Sequence, residues 1–301
     1  MDFERAAREV GQACVCPSCH ATLSLAKDRN SLQCSHCDKS YPIKDSLFVL
    51  VRDLDALQQK LEGVTEKRKG WYTSEQIKNF EQGPYRHHLR KRVLYLKDFA
   101  RRHKLEKGKH ILDAGCGDGI NLKHYLSCSP NTVFGMDFNF LRLQRAGANA
   151  KNQAILILGD LLNPPFQNDY FDIILLNHVL EHIPEDREVL AQLYRCLKPG
   201  GTLMLGVPNE GALLWQLQYH VLERRLQSTT DHVNFYTVKK LKKLVGEVGF
   251  TVVEVKRMGY GVPHSRIDAL LRNFKFMDDL FDVVGHLVPS QCTSLYMMLR
   301  K

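Results

Sequence analysis

The sequence has no apolar run approaching 18 residues, so nothing in it has the pattern of a helix that crosses a membrane. Its first residues, MDFERAAREVG, lack the apolar core of a secretory signal. Acids are outnumbered, with 33 Asp and Glu against 42 Lys and Arg and a formal net charge of +9. The rest of the composition is ordinary for a globular chain. These features predict a cytoplasmic protein without a transmembrane segment.

Most of the positive charge lies in one segment, residues 86–109, which holds ten Lys and Arg and two acids. Such a segment can attract RNA, an anionic lipid surface or a phosphorylated substrate. Its apolar residues Leu89, Val93, Leu96 and Ala100 recur at helical spacing, which also fits a packed helix whose solvated face is basic. The sequence leaves both interpretations open.

The cysteines are unevenly distributed, and five of the nine lie within the first 40 residues. Cys16 and Cys19 form one C-x-x-C pair and Cys34 and Cys37 another, with fourteen residues between the pairs. Two such pairs supply the four thiolates of a closed, tetrahedral structural zinc site. Disulfides are the alternative, although clustered cysteines in a cytosolic chain more often bind metal. A site with four thiolates leaves no open position for catalysis.

The residues after the second pair, YPIKDSLFVLV, suggest a short hairpin. With the cysteine pairs, they resemble the zinc-ribbon activator subunit of tRNA and rRNA methyltransferases. The residues that match the tail of that family are Tyr41, Pro42, Ile43 and Asp45. Ser46 and Phe48 stand where the family usually has Gly and Pro. The resemblance covers residues 14–51 and implies a structural or docking domain over 1–51, followed by a linker with some helix over 52–84.

From residue 110 onward, short apolar runs alternate with helical patterns. There are seven runs: HILDAGCGDG, TVFGMDF, AILILGD, FDIILLNHV, GTLMLGVPN, FTVVEVKR and SLYMMLRK. Apolar runs separated by helices indicate an α/β protein with a doubly wound, mostly parallel sheet. Ligands of such sheets bind at the carboxyl ends of the strands.

Acids and glycines cluster at those ends. The turn after the first run contains Gly115, Gly117 and Gly119. Asp113 precedes this turn, and Asp137 ends the second run, where a carboxylate can accept from both hydroxyls of a ribose. Asp160 ends the third run, where it could accept from an adenine amino group. A nicotinamide-binding domain is the alternative, but Ile120 stands where the third glycine of G-x-G-x-x-G would fall.

Five motifs in this order resemble class I S-adenosylmethionine-dependent methyltransferases. They are ILDAGCGDG, GMDF, GDLLNPPF, FDIILLNHVLEHI and LKPGGTLML, and the resemblance covers residues 85–301. It implies a seven-stranded Rossmann-like methyltransferase domain over that range, with S-adenosylmethionine as cofactor. By position, the resemblance implies that Gly115 and Gly117 approach the methionine moiety, with Asp113 near its amino end.

The same resemblance assigns the rest of the cofactor pocket. It implies that Asp137 takes the ribose, Phe138 flanks the adenine, and Asp160 with Leu161 lies at the adenine edge. Asn177, at the end of the fourth run, is expected where cofactor and acceptor meet.

The stretch NHVLEHIPE, residues 177–185, contains H-x-x-E-H, a zinc-protease signature. That assignment requires both histidines on one face of a long helix, whereas Pro184 follows so closely that a turn is predicted instead. At the end of strand four, His178 and His182 would adjoin both the methyl group and the acceptor, so either is a candidate base. Packing or capping at the cofactor rim is the alternative for Glu181 and His182.

Two further segments bear on the acceptor. His232, beside Asp231, is a third candidate base, and Asn234, Phe235 and Tyr236 are candidate pocket residues. Alternatively, this stretch serves the next helix, with Thr237 as its cap. Residues 265–288 have apolar positions at helical spacing and could pack on the sheet, form a dimer contact or touch a membrane surface.

These observations predict an S-adenosylmethionine-dependent methyltransferase that acts on a small-molecule acceptor. An oxygen of a sugar, lipid or secondary-metabolite precursor is the expected acceptor atom. Methylation of tRNA or rRNA is the alternative, supported by the zinc ribbon and the basic segment. A catalytically inactive scaffold is the alternative outside enzymes, and the intact acids and glycines of the cofactor motifs argue against it.

Overall fold

A computed structural model describes residues 2–67, 83, 86–102, 108–123, 131–224 and 231–301. Most of the predicted linker beyond residue 67 and residues 103–107 of the basic segment lie outside this description. The described strands are β1 (Leu23–Leu25), β2 (Ser31–Cys34), β3 (Ser40–Lys44), β4 (Leu47–Val49), β5 (His110–Ala114), β6 (Thr132–Asp137), β7 (Ile155–Leu158), β8 (Phe171–Asn177), β9 (Leu197–Pro208), β10 (Thr251–Met258) and β11 (Ser294–Arg300). The described α-helices are α1 (Phe3–Ala13), α2 (Leu54–Lys67), α3 (Arg86–Arg102), α4 (Phe140–Asn149), α5 (Asp186–Cys196), α6 (Leu213–Leu217), α7 (Val238–Val248), α8 (Ser265–Leu271) and α9 (Lys275–Leu287).

These strands form a single sheet in the order β1-β2-β3-β4-β7-β6-β5-β8-β9-β11-β10. The seven strands from β5 to β11 correspond to the seven apolar runs, which confirms the predicted fold class. Strands β5 to β9 are parallel, and β11 runs antiparallel between β9 and β10. Strand β6 is buried along its whole length, as expected for a central strand with covered faces.

The strands of the cysteine-rich N-terminal part extend this same sheet to eleven strands. Strands β1 to β4 pair as antiparallel neighbours, and β4 then pairs in parallel with β7. The register sets Phe48 against Ile157 and Val49 against Leu158. Phe48 shares one hydrophobic core with Phe134 and Phe166 of the C-terminal part. The sequence pattern did not predict that the two parts would share a sheet.

Local sequence explains the helix ends that position the site. Helix α4 begins after Asn139, whose side-chain oxygen accepts from Arg142 N at 3.0 Å. Helix α7 begins after Thr237, which accepts from Lys240 N, and it ends at Gly249 in a left-handed conformation with φ of 112°. Between β8 and α5 the chain forms a short 3₁₀ turn, Leu180–His182, which confirms the turn predicted ahead of Pro184.

The basic segment forms helix α3, which is partly packed. Val93, Leu96 and Phe99 are buried. Lys91 Nζ lies 3.0 Å from a carboxylate oxygen of Asp278 and ties α3 to α9. None of the helices described is both long and apolar enough to cross a membrane.

Candidate active site

A cavity of about 550 Å³ lies at the carboxyl ends of strands β5 to β8. Nine of the residues predicted for the site line it: Gly115, Asp137, Phe138, Asp160, Leu161, Asn177, His178, His182 and His232. Two others, Asp113 and Gly117, are not among the residues that line it. The strands that end here therefore bring together residues far apart in the sequence.

The turn after β5 requires glycine. Gly115 and Gly117 have φ values of 72° and 52°, which residues other than glycine rarely adopt. A Cβ atom on Gly115 would lie 2.5 Å from a methyl carbon of Val179, and one on Gly117 would collide with the guanidinium of Arg142. Packing against Val179 and Arg142 therefore requires both glycines, and at Gly115, which lines the cavity, the backbone has no side chain to keep a cofactor away.

Asp137 is held in a fixed orientation at the end of β6. Its Oδ2 accepts from Gly117 N at 2.9 Å, and its Oδ1 accepts from Asn139 N at 3.0 Å. Each carboxylate oxygen can accept more than one hydrogen bond. The side chain is therefore oriented and can still accept hydrogen bonds from the two hydroxyl groups of a ribose.

Asp160, after β7, has a partner that the sequence did not reveal. Lys60 Nζ from α2 lies 3.1 Å from Asp160 Oδ2, and Leu162 N donates to Asp160 Oδ1 at 3.0 Å. Lys60 also lines the cavity. Helix α2 thus contributes to the end of the cavity where the adenine is expected.

Among the buried oxygen atoms near the cavity that lack hydrogen-bond partners in the described part of the chain, Asp113 Oδ2 and Asn177 Oδ1 belong to residues predicted to bind the cofactor. Burial raises the pKa of Asp113 to about 7, against the opposing charge of Arg92. Buried polar atoms are rarely left unpaired in folded proteins. They suit a ligand with donor groups, such as the ammonium group of the methionine moiety. Together with the glycine turn and the acids at the strand ends, they fit S-adenosylmethionine.

The opposite end of the cavity contains the candidate bases. His178 Nδ1 lies 3.3 Å from Glu181 Oε1, and His182 Nδ1 lies 3.4 Å from Asp231 Oδ2. The rings of His182 and His232 have their centroids 5.0 Å apart. Glu181, His182 and His232 each bring one ligand atom within 4.8 Å of the others, so this set can hold a metal ion.

Burial and charge act in opposite directions at this end. Burial would raise the pKa of Glu181, but the hydrogen bond from His178 and the charges of His178 and His182 hold it below the ordinary value. Burial lowers the pKa of His182, and the carboxylates of Glu181 and Asp231 only partly offset it. His182 is therefore a neutral imidazole at neutral pH. His178 has a positive φ of 54°, which is unusual for a residue with a side chain and typical of functional sites.

The segment from Asp231 to Thr237 was predicted either to line the acceptor pocket or to serve the next helix, and different residues do each. Asp231 and His232 line the cavity. Asn234, Phe235 and Tyr236 do not line the cavity, and Thr237 caps helix α7, so the structure favours the other alternative for these three residues. Asn234 Nδ2 donates to Ile183 O at 2.7 Å, Phe235 is exposed, and buried Tyr236 donates its hydroxyl to Asp186 Oδ2 at 2.8 Å. The side chains of Asn234 and Tyr236 secure the segment to the chain that follows the 3₁₀ turn.

Helix α3 adds further residues to the cavity, among them His88 and Arg92. Burial lowers the pKa of His88 to about 3, with help from the nearby charges of Arg272 and Arg92. His88 is therefore neutral at any physiological pH. In the sequence, this segment stood out only by its charge. No local motif predicted that the side chains of His88 and Arg92 would line the cavity.

The four predicted zinc ligands come together in the N-terminal part of the chain. Cys16 Sγ and Cys37 Sγ lie 3.6 Å apart, Cys19 Sγ and Cys34 Sγ lie 3.4 Å apart, and all four thiols are free. All four sulfur atoms fall within 4.8 Å of one another. A tetrahedral site with Zn–S bonds of about 2.3 Å requires S···S separations of roughly 3.8 Å, so the donor set fits zinc.

The electrostatics of this cluster also favour a metal site. The Tyr41 hydroxyl lies 3.1 Å from Cys16 Sγ. Burial opposes ionisation of Cys16, but this hydroxyl and nearby backbone amides lower its pKa to about 6. The amide groups of His36 and Cys37 point at Cys34 Sγ from 3.4 and 3.5 Å. Zinc would bind these groups as thiolates and would hold the two knuckles together.

Comparison with known proteins agrees with this geometry. The family model for a methyltransferase domain matches residues 85–255, and the model for Trm112p-like proteins matches residues 15–46. The demethylmenaquinone methyltransferase of Lactiplantibacillus plantarum is 28% identical over 184 residues, which are 52% of this chain and 76% of that protein. The ubiquinone biosynthesis O-methyltransferase of Thiobacillus denitrificans is 27% identical over 164 residues, which are 51% of this chain and 69% of that protein.

Solved structures share the fold. Phosphoethanolamine N-methyltransferase 2 of Haemonchus contortus, in complex with S-adenosyl-L-methionine, has a TM-score of 0.52 at 15% identity and covers 78% of this chain and 60% of its own. A putative sarcosine dimethylglycine methyltransferase from Galdieria sulphuraria also scores 0.52 at 15% identity, covering 71% of this chain and 86% of its own. Because the first family model spans more than half of the chain, the protein belongs to the methyltransferase domain family, as an S-adenosylmethionine-dependent enzyme with an N-terminal Trm112p-like zinc ribbon.

Proposed function

We propose that this enzyme methylates an oxygen atom of a small-molecule acceptor that binds beside His178, His182 and His232. One observation carries the proposal, namely that a single cavity has acids suited to the cofactor at one end and three histidines at the other. Relatives named as demethylmenaquinone and ubiquinone biosynthesis methyltransferases support a small-molecule acceptor, and the name of the second supports oxygen.

In this proposal, Asp113, Asp137 and Asp160 hold the cofactor, and Gly115 and Gly117 let it approach the backbone. When bound, S-adenosylmethionine supplies an electrophilic methyl group for an in-line displacement. The task of the protein is then to align the lone pair of the acceptor and to remove its proton. The acids at the strand ends fix the cofactor, and the residues around the 3₁₀ turn orient the acceptor.

His182 is the proposed base. Its Nδ1 faces Asp231, so the tautomer with a proton on Nδ1 leaves the lone pair of Nε2 to accept the proton of the acceptor hydroxyl. The lowered pKa keeps the imidazole neutral before the reaction. Asp231 would steady the imidazolium that forms. His178, oriented by Glu181, and His232, 3.6 Å from Glu210 Oε1, are the other candidates.

Methylation of RNA is the competing function, and the Trm112p-like ribbon is the observation that favours it. The basic helix α3 gives it less support than the sequence suggested, because several cations have partners within the protein. Lys91 pairs with acids of α9, Arg101 and Arg102 pair with Asp98, and Arg86 donates to the carbonyl of Asn273. RNA binding through α3 would compete with some of these contacts.

The acceptor class is tested by incubating the enzyme with methyl-labelled S-adenosylmethionine and cell extracts that are then separated into metabolite, lipid and RNA fractions. We expect the label in the metabolite or lipid fraction. Label found in RNA alone would refute the small-molecule proposal.

The base is tested with His182→Gln and, as a matched control, His36→Gln, which changes an exposed histidine of the ribbon. We expect His182→Gln to lower kcat by about 100-fold or more while the affinity for the cofactor changes little, because a general base acts on the chemical step. If His178→Gln produces this result and His182→Gln does not, the base is His178.

A further inference from the structure

The exposed large hydrophobic residues are concentrated on two neighbouring segments, residues 213–224 and 265–288. Of the seventeen such residues among those described, twelve lie there. The first segment consists of α6 and the single π-helical turn Gln218–Leu222, and the second contains α8 and α9. Isolated exposed apolar residues are normal, whereas a contiguous group of this kind marks an interaction surface.

Helix α9 has one fully apolar outward side. Phe276, Leu280, Val283 and Leu287 follow one another at helical spacing, and Phe276 and Leu287 are 67% and 77% exposed. Its acids Asp278 and Asp279 each have a carboxylate oxygen 3.0 Å from Lys91 Nζ of α3. Asp279 Oδ2 also lies 2.6 Å from Nζ of exposed Lys275, and Asp282 Oδ2 lies 3.9 Å from Lys91 Nζ. The acids of α9 are thus paired with cations of the protein. We name the exposed apolar residues of the two segments the apolar face.

The cations next to the apolar face are more exposed than its acids. Arg224 and Arg266 are exposed, as is Lys275, whose Nζ pairs with Asp279 Oδ2, whereas the acids of the two segments are buried or half-buried. Each of these acids has a partner, as when Glu223 accepts from Ser265 N at 2.7 Å. Helix α3, which packs on α9, adds exposed Arg90 and Lys97. An apolar surface bordered by cations is complementary to a bilayer that contains anionic lipids.

The two segments also enclose a second cavity, of about 310 Å³. Trp215 and Tyr219 line it from the first segment and Ser265 from the second, and Leu214 N donates to Gln291 Oε1 at 3.1 Å across its edge. His88, Trp215 and Thr293 line both this cavity and the cofactor cavity. The space between the two segments is therefore adjacent to the place where the acceptor would be methylated.

We propose that the apolar face docks on the surface of an anionic lipid bilayer and that the acceptor is a lipophilic molecule, which enters from the bilayer through the second cavity. The part concerning the acceptor rests on the proposed methylation of a small molecule. The docking rests only on the apolar face and its cations.

A second copy of the chain fits this face less well than a bilayer does. Pairing the face with itself would set its exposed cations, Arg224 and Arg266, against a surface that carries the same cations. The net charge of +9 adds further repulsion between copies. An anionic bilayer satisfies the same cations and covers the same apolar side chains.

The docking is tested by co-sedimentation with vesicles of phosphatidylcholine alone and of phosphatidylcholine mixed with phosphatidylglycerol. We expect binding to the mixed vesicles that weakens as salt is added. The double variant Phe276→Ser/Leu280→Ser should bind these vesicles at least about tenfold more weakly, because buried methylene groups contribute most of such affinity. The control Val253→Ser changes a residue of similar exposure on β10, outside the face, and should bind as the wild type does.

A second pair of variants tests the cations. Arg266→Gln should weaken binding to the mixed vesicles about fivefold, and Lys243→Gln, an exposed cation of α7 outside the face, should not. Equal binding to both kinds of vesicle, or no effect of either substitution in the face, would overturn the proposal. So would a stable dimer in sedimentation velocity that the serine variant dissociates, because the face would then be covered by a second copy.

Calorimetry of cofactor binding by the serine variant separates this proposal from the proposed function. Unchanged cofactor affinity with lost vesicle binding supports the docking and shows that the variant is folded. If vesicle binding is as expected but the labelled methyl group enters only RNA, the docking is supported. The lipophilic acceptor and the small-molecule proposal are then both refuted.

Discussion

At the scale of single residues, the carboxyl group of Asp113 is held where water does not reach it. The residue is buried, one carboxylate oxygen has no hydrogen-bond partner in the described part of the chain, and its pKa is raised to about 7. Burial in the absence of ligand therefore opposes ionisation. A cofactor with an ammonium group nearby would favour the ionised form. Asp113 thus lowers the stability of the free protein and is expected to favour cofactor binding.

Replacing Asp113 with Asn tests both effects. The raised pKa means that the folded protein holds a proton that the unfolded chain releases above about pH 4, so the wild type loses stability as pH rises from about 4 to 7. Above that range the loss is constant and amounts to up to about 4 kcal/mol. Without cofactor, Asp113→Asn should be more stable than the wild type at about pH 8, by a margin that shrinks toward about pH 4. Its affinity for the cofactor should fall.

Urea unfolding at several pH values, with calorimetry of cofactor binding, measures both effects. The other titrating groups are shared by the two proteins and cancel in the difference. A stability difference that does not change with pH would show that Asp113 is ionised throughout.

The glycine turn gives a second prediction at this scale. Gly115→Ala should destabilise the protein by about 2 kcal/mol or more, because it places a side chain at positive φ and against Val179. Gly246→Ala is the control, since Gly246 lies within α7 and nothing lies within 4 Å of the point that an added methyl group would occupy. That change should stabilise the protein by about 0.5–1 kcal/mol through helix propensity. Shifts in the midpoint of urea unfolding measure both, and equal effects would contradict a specific requirement at Gly115.

At the scale of secondary-structure elements, the apolar runs predicted the strands because central parallel strands are buried on both faces. They also located Asp137, Asp160 and Asn177, since the carboxyl ends of parallel strands meet at one edge of a sheet. Lys60 and His88 escaped prediction because helices bring them to the cavity across long sequence separations. The pairing of β4 with β7 was also not predicted, because the residue pattern of a strand does not indicate which strand it pairs with.

That pairing connects the zinc ribbon to the cofactor site. Val15 N donates to Pro165 O at 2.9 Å, and Asn163 Nδ2 donates to Pro17 O at 3.0 Å. Both contacts hold the loop that follows Asp160, and Pro17 lies between two zinc ligands. The ribbon therefore helps to support the end of the cavity that contains Asp160.

Loss of zinc should accordingly weaken cofactor binding as well as unfold the ribbon. Cys34→Ala should lower the affinity for S-adenosylmethionine by about tenfold, because the free energy that zinc contributes to folding the ribbon is lost. Cys292→Ala, at a buried cysteine outside the ribbon, is the matched control and should retain zinc. Calorimetry and zinc content measure the two effects. Full cofactor affinity in a zinc-free Cys34→Ala protein would show that the loop holds Asp160 without the ribbon.

At the scale of the whole molecule, the cofactor cavity draws residues from most of the chain. Lys60 comes from α2, Arg92 from α3, Asp137 from the centre of the sheet and His232 from the segment before α7. Helix α3 is also tied to β10, where Tyr95 donates its hydroxyl to Glu254 at 2.9 Å. A ligand in this cavity contacts elements that one sheet already joins to the ribbon. Binding is thus expected to stabilise the molecule as one unit.

Saturating cofactor should therefore raise the unfolding temperature and the temperature of zinc release by the same amount. At a concentration of 100 times Kd, binding adds about 2.7 kcal/mol to the free energy of unfolding, which corresponds to a shift of roughly 3–6 °C. Asp137→Ala should lower the unfolding temperature, because Asp137 accepts from two backbone amides, and should abolish the shift. Circular dichroism and a zinc-binding dye follow the two transitions. If cofactor moves the first transition and leaves zinc release unchanged, the ribbon unfolds independently despite the shared sheet, and the weaker cofactor binding expected of Cys34→Ala would lose its physical basis.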